Sequence, residues 1–507
     1  MITRLICGAL HGISAFRVDL EVDLARGLPS FIMVGLAEGA VREARERVTS
    51  ALRGAGFTLP AARITVNLAP ADRRKAGSAY DLPLALGLLA AAGLVPADKL
   101  EGWFLAGELS LTGALKPVPG VLPLAVLAQN EGARGMIVPA DNAAEAAVVR
   151  DLPVFAAATL AETLTIMLDP EKAHPVAPNI PTPEDSVYPL DFLDVKGQEH
   201  AKRAIEIATA GAHNLLLIGP PGSGKTMLAE RIPTILPPLC FDEALEVTRI
   251  YSVAGMLEGH GLMAHRPFRS PHHTISQIAL VGGGSHPRPG EVSLAHRGVL
   301  FLDELPEYQK TALEVLRQPL ENGEVTVSRA TQSVTFPADC MLVAAMNPCP
   351  CGFQTDPRHN CTCSPQQIDR YRAKLSGPLL DRIDLHVEVP AVPFDDLRAR
   401  RPGSGSAAMR ERIAVARAVQ AQRYADAACR TNADLSGNLL EEHCRLGQAE
   451  HNFLREAVHA LALSARAYTR ILRISRTIAD LAQARDLDVA HLAEAVNCRV
   501  LDRERLL

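Results

Sequence analysis

Apolar residues recur with two periods along the first part of the chain, a pattern typical of strands that alternate with helices. Short apolar runs predict strands at residues 31–34, 64–68 and 135–139. Longer stretches with helical spacing predict helices at residues 37–54, 81–92 and 119–132. Residues 1–168 are therefore predicted to form one α/β domain.

Two breaks in this pattern divide the rest of the chain. Residues 169–189 contain six prolines and no apolar period, which predicts a stiff, extended linker. Residues 190–395 again alternate strand-like and helix-like segments. After a second break at 400–406 the apolar spacing is helical to the end, so residues 396–507 are predicted to form a small helical bundle.

Composition narrows the classes of protein to consider. The 507 residues exceed what one hydrophobic core usually contains, and no apolar run is long enough to span a membrane. The N-terminus lacks the long apolar segment of a signal peptide, so we expect a cytoplasmic protein without a membrane partner. A net charge of −5 excludes an extensively basic surface, so any nucleic-acid site must be a groove or pore lined by a few Arg and Lys.

A phosphate-binding loop follows the apolar run 215–218 and precedes a predicted helix. The loop matches G-x-x-x-x-G-K-[ST] and consists of Gly219, Pro220, Pro221, Gly222, Ser223, Gly224, Lys225 and Thr226. Backbone N–H groups of such a loop surround phosphate oxygens, the lysine contacts the β- and γ-phosphates, and the Thr226 hydroxyl ligates Mg²⁺. The loop predicts a nucleoside triphosphate site, with a chance glycine loop as the alternative.

Polar residues end two further predicted strands. Asp303 and Glu304 follow the apolar run 299–302, and ligands bind at such strand ends in open α/β sheets. Asp303 suits Mg²⁺ coordination and Glu304 suits activation of the attacking water, although a solvated acidic strand end is the alternative. Asn347 follows the run 341–346, where it could contact the γ-phosphate or simply form a turn before Pro348.

Four cysteines lie within fifteen residues, in the arrangement C-x-C…C-x-C. In a cytoplasmic chain such clustering indicates a metal site rather than disulfides. The candidate Zn²⁺ ligands are Cys349, Cys351, Cys361 and Cys363. His359 is an alternative ligand, and a reduced cysteine-rich loop is the alternative to metal binding.

Three longer motifs, at residues 266–273, 289–305 and 347–352, resemble those of the magnesium-chelatase-like branch of the AAA+ ATPases. The ComM/YifB family is the nearest fit, and the resemblance covers essentially the full chain. It implies an α/β AAA+ P-loop domain with an α-helical lid bundle, and ATP and Mg²⁺ as its ligands. It also implies a ring, expected to be a homo-hexamer.

The resemblance assigns roles to two arginines. Arg382 resembles the arginine finger that reaches the γ-phosphate bound by the neighbouring subunit, a role that suits a planar and always charged guanidinium. A surface ion pair with a neighbouring aspartate is the alternative. Arg466 resembles the sensor-2 arginine of the lid, which contacts the phosphates of its own subunit. Arg470 and Arg473 lie further along the same predicted helix and are alternatives, as is a solvated helix face.

Two segments between the nucleotide motifs are candidates for DNA contact. Residues 322–336 predict a β-hairpin, and in AAA+ helicases a hairpin at this place enters the ring pore. Arg329, at its tip, is the candidate DNA-phosphate contact, with a surface turn arginine as the alternative. The insert 265–297 resembles a second pore loop, in which we expect His272 and His273 to serve structure or DNA contact rather than metal binding.

The N-terminal domain resembles the α/β domain of Lon-type proteases, with its ribosomal-S5-domain-2-like fold, at residues 75–81 and 107–113. Lon chemistry needs a serine nucleophile and a lysine base. The apolar segment 121–124 stands where the lysine is expected, and Ser78 is out of register with the nucleophile. We therefore expect a non-proteolytic scaffold for oligomerisation or for contact with DNA or a partner.

Together these features predict an ATP-driven hexameric DNA motor. The family resemblance implies a branch-migration helicase that promotes integration of DNA during natural transformation and recombination. Single-stranded or branched DNA would pass through the pore of the ring. A magnesium-chelatase-type motor subunit and a Lon-like protease are the alternatives.

Overall fold

Two paired antiparallel strands open the chain. The computed structural model describes residues 2–36, 38–181, 188–257, 259, 261–284, 287–329, 332–392, 404–427 and 429–501. The N-terminal strands are β1 Ile2–His11, β2 Ser14–Ala25, β3 Ser30–Val34, β4 Arg63–Ala69, β5 Trp103–Leu105, β6 Glu108–Leu109, β7 Leu115–Lys116, β8 Gly135–Pro139 and β9 Val154–Ala157. The helices are α1 Gly39–Gly54, α2 Asp81–Ala91, α3 Val121–Asn130, α4 Ala140–Ala146 and α5 Leu160–Leu168.

A mixed seven-stranded sheet organises this domain in the order β3-β4-β2-β1-β5-β8-β9. The predicted strands 31–34, 64–68 and 135–139 are confirmed as β3, β4 and β8, and the three predicted helices are confirmed as α1, α2 and α3. Helix α3 begins two residues later than predicted, because Gly120 has φ +78, a left-handed conformation that cannot continue into a right-handed helix. The entire length of α2 is buried, so it forms the centre of the domain core.

The predicted linker begins where α5 ends. A short 3₁₀ turn at Pro170–Lys172 is followed by extended chain, and the N–H of Val176 donates to the carbonyl of Val154 over 2.7 Å. The first half of the linker is therefore held against the N-terminal sheet. Residues 182–187 of the predicted linker lie outside the described residues. The borders at 168 and 190 stay a prediction.

The central domain is built on a five-stranded parallel sheet. Its strands are β10 Leu215–Ile218, β11 Phe268–Arg269, β14 Val299–Leu302, β17 Met341–Met346 and β18 Leu385–Glu388, in the order β11-β14-β17-β10-β18. Every residue of β10, β14 and β17 is buried, which explains why these strands are unbroken apolar runs. Because parallel strands end at one edge, residues that follow β10, β14 and β17 meet there.

The connections of this sheet carry its helices and two antiparallel ribbons. The helices are α6 Glu199–Gly211, α7 Lys225–Arg231, α8 Phe241–Ala254, α9 Gln277–Val281, α10 Glu291–Leu294, α11 Lys310–Glu314, α12 Pro319–Asn322, α13 Pro365–Arg372 and α14 Gly377–Leu380. The ribbons are β12 Gly282–Gly283 with β13 Arg288–Pro289, and β15 Glu324–Arg329 with β16 Gln332–Pro337.

The C-terminal region is helical, as the spacing predicts. Its helices are α15 Ser406–Arg423, α16 Gly437–His443, α17 Gln448–Ala460, α18 Ala465–Leu481 and α19 Val489–Asn497. Ile413, Ile471 and Leu492 of this region belong to the same apolar cluster as Leu215 and Leu217 of the sheet. The lid therefore shares one core with the central domain. The predicted border at 395/396 lies outside the described residues.

The N-terminal domain packs on α8 of the central domain. The buried Glu145 carboxylate accepts hydrogen bonds from the Ser252 hydroxyl of α8 and, over 3.3 Å, from the N–H of Leu122. At the β1–β2 turn, a methyl group on Gly12 would lie only 2.9 Å from Val334 Cγ1 in β16. The first hairpin of the chain therefore touches the β15–β16 hairpin directly.

The predicted fold class, an α/β architecture with parallel sheets and a C-terminal helical region, is confirmed. Within the described part of the chain, every helix is too short or too polar to cross a membrane.

Candidate nucleotide-binding site

The phosphate-binding loop joins β10 to α7 and depends on its glycines. Gly222 and Gly224 have φ +74 and +91, in the left-handed region that glycine adopts without strain. A methyl group on Gly219 would lie 2.1 Å from the carbonyl oxygen of Val389, so only glycine fits there. The loop is thus confined against the strand end that follows β18, and its curved backbone is of the kind that binds phosphate.

Lys225 is buried beneath the loop. Its Nζ donates to the carbonyls of Gly219 and Pro220 over 2.7 and 3.0 Å and to Asn347 Oδ1 over 3.3 Å. Burial lowers the pKa of Lys225, although the nearby carboxylates of Asp303 and Glu304 oppose this shift. The ammonium group is therefore held inside the loop by neutral oxygen atoms, which a phosphate group could replace.

The two oxygen ligands that suit Mg²⁺ come from the phosphate-binding loop and from the end of β14, which is separated from β10 by β17. Asp303 follows β14, and its Oδ2 accepts a 2.8 Å hydrogen bond from the Thr226 hydroxyl of the loop. Its other oxygen accepts the N–H of Glu304 over 2.9 Å. A hydroxyl and a carboxylate oxygen in contact form the donor set expected for Mg²⁺, so these two residues fit the ion.

Glu304 has an unusual backbone conformation. Its φ of 51° and ψ of 46° are left-handed, which is strained for a residue with a side chain. Together with Lys225, Thr226, Asp303 and Asn347, it lines a cleft of about 390 Å³. The structure therefore brings together five residues that the sequence predicts for nucleotide binding and hydrolysis, and their individual roles stay predictions.

The two predicted arginines do not line this cleft within the described chain. Arg382 donates from Nη1 to the Pro378 carbonyl over 2.8 Å and pairs through Nη2 with Glu321. This contact lowers the pKa of the Glu321 carboxyl. A finger that serves the neighbouring subunit is expected to lie away from its own nucleotide, so the trans role of Arg382 stays a prediction.

The lid arginines differ in their surroundings. The Arg466 side chain is 69% exposed and pairs with Asp381 over 2.8 Å, whereas Arg470 is 13% exposed and pairs with Asp384 over 3.0 Å. Arg473 donates from Nε to the carbonyl of Leu435 over 2.6 Å. Arg466 is thus the most exposed of the three, and its sensor-2 role stays a prediction.

His273 is a residue of the site that the sequence did not single out for the nucleotide. Its Nδ1 lies 3.4 Å from Glu304 Oε2, and its ring lies 4.1 Å from that of His272. His273 follows the edge strand β11, which pairs with β14. The signal that could have found it is this parallel pairing, which places residues after β11 beside residues after β14.

The four cysteines converge. Their Sγ atoms all lie within 4.8 Å of one another, with 3.3 Å from Cys349 to Cys351 and 3.6 Å from Cys351 to Cys361. Tetrahedral Zn²⁺ with Zn–S bonds of about 2.3 Å requires S···S distances near ~3.8 Å, so the cluster fits the ion. Hydrogen bonds from the backbone N–H groups of Phe353 and Thr362 lower the pKa of Cys351 to about 6. His359 instead lies 3.1 Å from Asp356 Oδ2.

Both predicted DNA-contact segments contain antiparallel ribbons. In β15–β16, Thr326 faces Thr335 and Ser328 faces Ser333, each pair at 3.1 Å between hydroxyl oxygens. Arg329 ends β15 and pairs in register with Gln332, which confirms the hairpin. Residues 330–331 and the Arg329 side chain lie outside the described residues.

Two buried positions of the N-terminal domain bear on its predicted lack of proteolytic activity. Leu122, near the expected lysine position, is fully buried. Lys75 is also buried, and its Nζ donates to the carbonyls of Gly35 and Pro70. Burial lowers the pKa of Lys75. The prediction of a non-proteolytic domain is untested by these contacts alone and stays a prediction.

Comparison with known proteins places this geometry in context. The family model described as "Magnesium chelatase, subunit ChlI" matches residues 191–397. "Subunit ChlI of Mg-chelatase" matches residues 20–142, and "Magnesium chelatase, subunit ChlI C-terminal" matches residues 403–499.

Two relatives align over nearly the whole chain. The competence protein ComM of Haemophilus influenzae is 48% identical over 98% of this chain and 97% of that protein. The uncharacterized protein YifB of Salmonella typhimurium is 44% identical over 98% of this chain and 96% of that protein.

Proposed function

Because the chain belongs to the ComM/YifB family of magnesium-chelatase-like AAA+ proteins, we propose that it is an ATP-driven motor that acts as a ring on branched DNA. The observation that carries the proposal is the position of the two ribbons in the chain. The β12–β13 ribbon precedes β14, and the β15–β16 ribbon lies between β14 and β17. Asp303 and Asn347 follow β14 and β17, so each ribbon adjoins along the chain a strand that carries a residue of the nucleotide cleft.

The five residues of the cleft have distinct parts in the proposed hydrolysis. Lys225 would exchange its carbonyl partners for the β- and γ-phosphates, and Thr226 with Asp303 would hold Mg²⁺. Bound Mg²⁺ neutralises charge that develops on the phosphate oxygens. Glu304 would accept the proton of the attacking water, and Asn347 would orient that water or contact the γ-phosphate.

The ring is part of the proposal. Arg382 would complete the site of the neighbouring subunit, where a guanidinium stabilises the charge of the transferred phosphoryl group. Arg466 of the exposed lid surface would contact the phosphates of its own subunit after closure of the lid. The proposed assembly is a cytoplasmic homo-hexamer with the β15–β16 hairpins in its pore.

DNA is the proposed track, and because a net charge of −5 leaves no extensively basic surface, its phosphates would be bound at local sites. Arg329 at the hairpin would contact the phosphate backbone. Since a relative at 48% identity is called a competence protein, we propose branch migration during the integration of transforming DNA as the process served.

The test is the ATPase rate without DNA and with single-stranded, forked or four-way DNA, alongside movement of a labelled four-way junction. Branched DNA is expected to raise the rate, and Glu304→Gln provides the background of contaminating ATPase. Arg329→Ala should lose the DNA-dependent part, while Arg4→Ala, at an exposed arginine of β1, should keep it. Equal rates with and without every DNA, and no junction movement, would exclude the DNA motor.

Assays on the same purified protein distinguish the DNA motor from two other functions. A magnesium-chelatase-type motor would need a metal-inserting partner and a porphyrin, and DNA would leave its ATPase rate unchanged. A Lon-like protease would degrade an unfolded protein such as casein in an ATP-dependent way. The buried Leu122 argues against a lysine base at that position.

A structural Zn²⁺ completes the proposal. The cluster of Cys349, Cys351, Cys361 and Cys363 would bind it as thiolates, a closed ligand set typical of structural sites. Purified protein is expected to contain stoichiometric zinc by mass spectrometry of its metals. Protein that is folded and free of zinc, even after growth with added zinc, would contradict this.

A further inference from the structure

The cysteine cluster is connected to the nucleotide cleft at both of its ends. Cys349 follows Asn347 by two residues, and residues 347–364 contain no helix or strand. Beyond Cys363 the chain enters α13, which places the hydroxyl of Tyr371 near the backbone N–H of Asn347. The segment that contains all four thiols therefore begins at Asn347 and leads to a helix that lies close to Asn347.

The same segment packs closely against the phosphate-binding loop. Gly352 has φ +85, and a methyl group placed on it would lie 2.6 Å from Cδ and 2.8 Å from Cγ of Pro221. Gly352 therefore sits against Pro221, while Asn347 contacts Lys225 over 3.3 Å. Two separate points of the loop are held by residues that immediately adjoin the thiol cluster.

A bound metal would be the strongest cross-link in this segment. The chain makes a turn at Cys349–Gly352, with the N–H of Gly352 donating to the Cys349 carbonyl over 3.0 Å, and the N–H of Cys351 lies 3.4 Å from Cys363 Sγ. Without an ion, four thiols offer only weak mutual contacts, whereas metal–thiolate bonds contribute directly to the stability of a small site.

We propose that Zn²⁺ bound by the four cysteines is a positioning element of the nucleotide site, which fixes Asn347 and Pro221 so that ATP binding and turnover depend on the zinc. The proposal rests on the ATPase function and the zinc site proposed above. The metal does not touch the nucleotide. It acts through the two contacts that Asn347 and Gly352 make with the loop.

The first experiment compares the double variant Cys361→Ser/Cys363→Ser with Cys240→Ser, whose thiol is exposed and lies outside the cluster. Zinc content, affinity for a fluorescent ATP analogue and ATPase turnover are measured on each full-length protein. The double variant is expected to lose zinc and to lose turnover on the order of 100-fold, since a misplacement near 1 Å can cost that much. Cys240→Ser should match the wild type in all three readouts.

Gly352→Ala supplies an independent arm, because it keeps all four thiols but places a methyl group against Pro221. It is expected to retain zinc and to bind the ATP analogue more weakly, which tests whether the contact of this segment with Pro221 affects nucleotide binding. A third arm removes zinc from the wild type with a zinc-selective chelator, follows folding by circular dichroism, and restores zinc alone. Turnover should fall and recover while the ellipticity stays constant.

The outcomes are separable. Loss of zinc with unchanged nucleotide affinity and turnover would overturn the positioning role and leave the ATPase intact. Wild-type protein with zinc and no ATPase activity would contradict the proposed function instead. If the double variant fails to fold, the chelator and Gly352→Ala arms decide, and unchanged nucleotide binding in both would again overturn the proposal.

Discussion

Asp384 anchors the lid to the central domain, and its replacement gives a sharp test of how the two are held together. The carboxylate is buried, accepts Arg470 Nε of α18 over 3.0 Å and the N–H of Asn214 over 3.2 Å, and lies 3.5 Å from His213 Nδ1. Burial alone would raise its pKa, but the contact with His213 and the charge of Arg470 outweigh burial and lower the pKa from 3.8 to about 2.

The magnitude follows from that shift. A difference of roughly 2 pKa units corresponds to roughly 2 to 3 kcal/mol of stability that the ionised carboxylate contributes. Asp384→Asn also leaves Arg470 buried beside a neutral group, so a loss of about 2 to 4 kcal/mol at pH 7 is expected. Because folding lowers the pKa, the contribution is complete well above pH 3.8 and disappears as the pH falls toward 2.

Hydrogen exchange of peptides from α18 measures this opening locally, which suits a multidomain chain whose global unfolding is not two-state. The matched control is Asp381→Asn, since Asp381 pairs with the 69% exposed Arg466 and should contribute less than about 1 kcal/mol. Equal effects of the two substitutions, or an Asp384→Asn effect that does not shrink between pH 5 and pH 3, would refute the reasoning.

The remaining predictions concern the cleft. Glu304→Gln should bind a fluorescent ATP analogue normally and hydrolyse ATP about 10² to 10⁴ times more slowly; weakened binding would show that Glu304 holds the nucleotide instead. Lys225→Ala should lose binding of the analogue, because the variant lacks the ammonium group that is proposed to contact the β- and γ-phosphates. Retained affinity would contradict this. His273→Ala should reduce turnover by up to about 100-fold through displacement of Glu304, with affinity unchanged, whereas His272→Ala should not.

The parts of the site that the sequence predicts are those encoded within a few residues. Asp303 and Asn347 each end a buried apolar run, so their meeting with Lys225 follows once the strands are parallel. His273 depends instead on β11 pairing with β14, a contact between segments about thirty residues apart that no local pattern specifies. The choice among Arg466, Arg470 and Arg473 likewise depends on which face of α18 is buried against Asp384.

The thiol cluster and α3 also combine features that the local sequence predicts with features that it does not. The spacing of Cys349 and Cys361 predicts a metal site, and the approach of all four thiols agrees with it. The contact of Gly352 with Pro221 has no counterpart in the spacing, because it arises from how the loop folds back on its neighbour. The start of α3 was predicted too early because helical apolar spacing does not report the left-handed backbone of Gly120.

The single core shared by the sheet and the lid also sets the order in which the protein matures on the ribosome. All strands of the seven-stranded sheet lie before residue 158, so the N-terminal domain can fold while the rest is being synthesised. The apolar cluster around Leu215 extends to Leu492 and Cys498, so it cannot close until α19 has emerged. The nascent chain therefore carries a finished N-terminal domain long before it can acquire a competent nucleotide pocket.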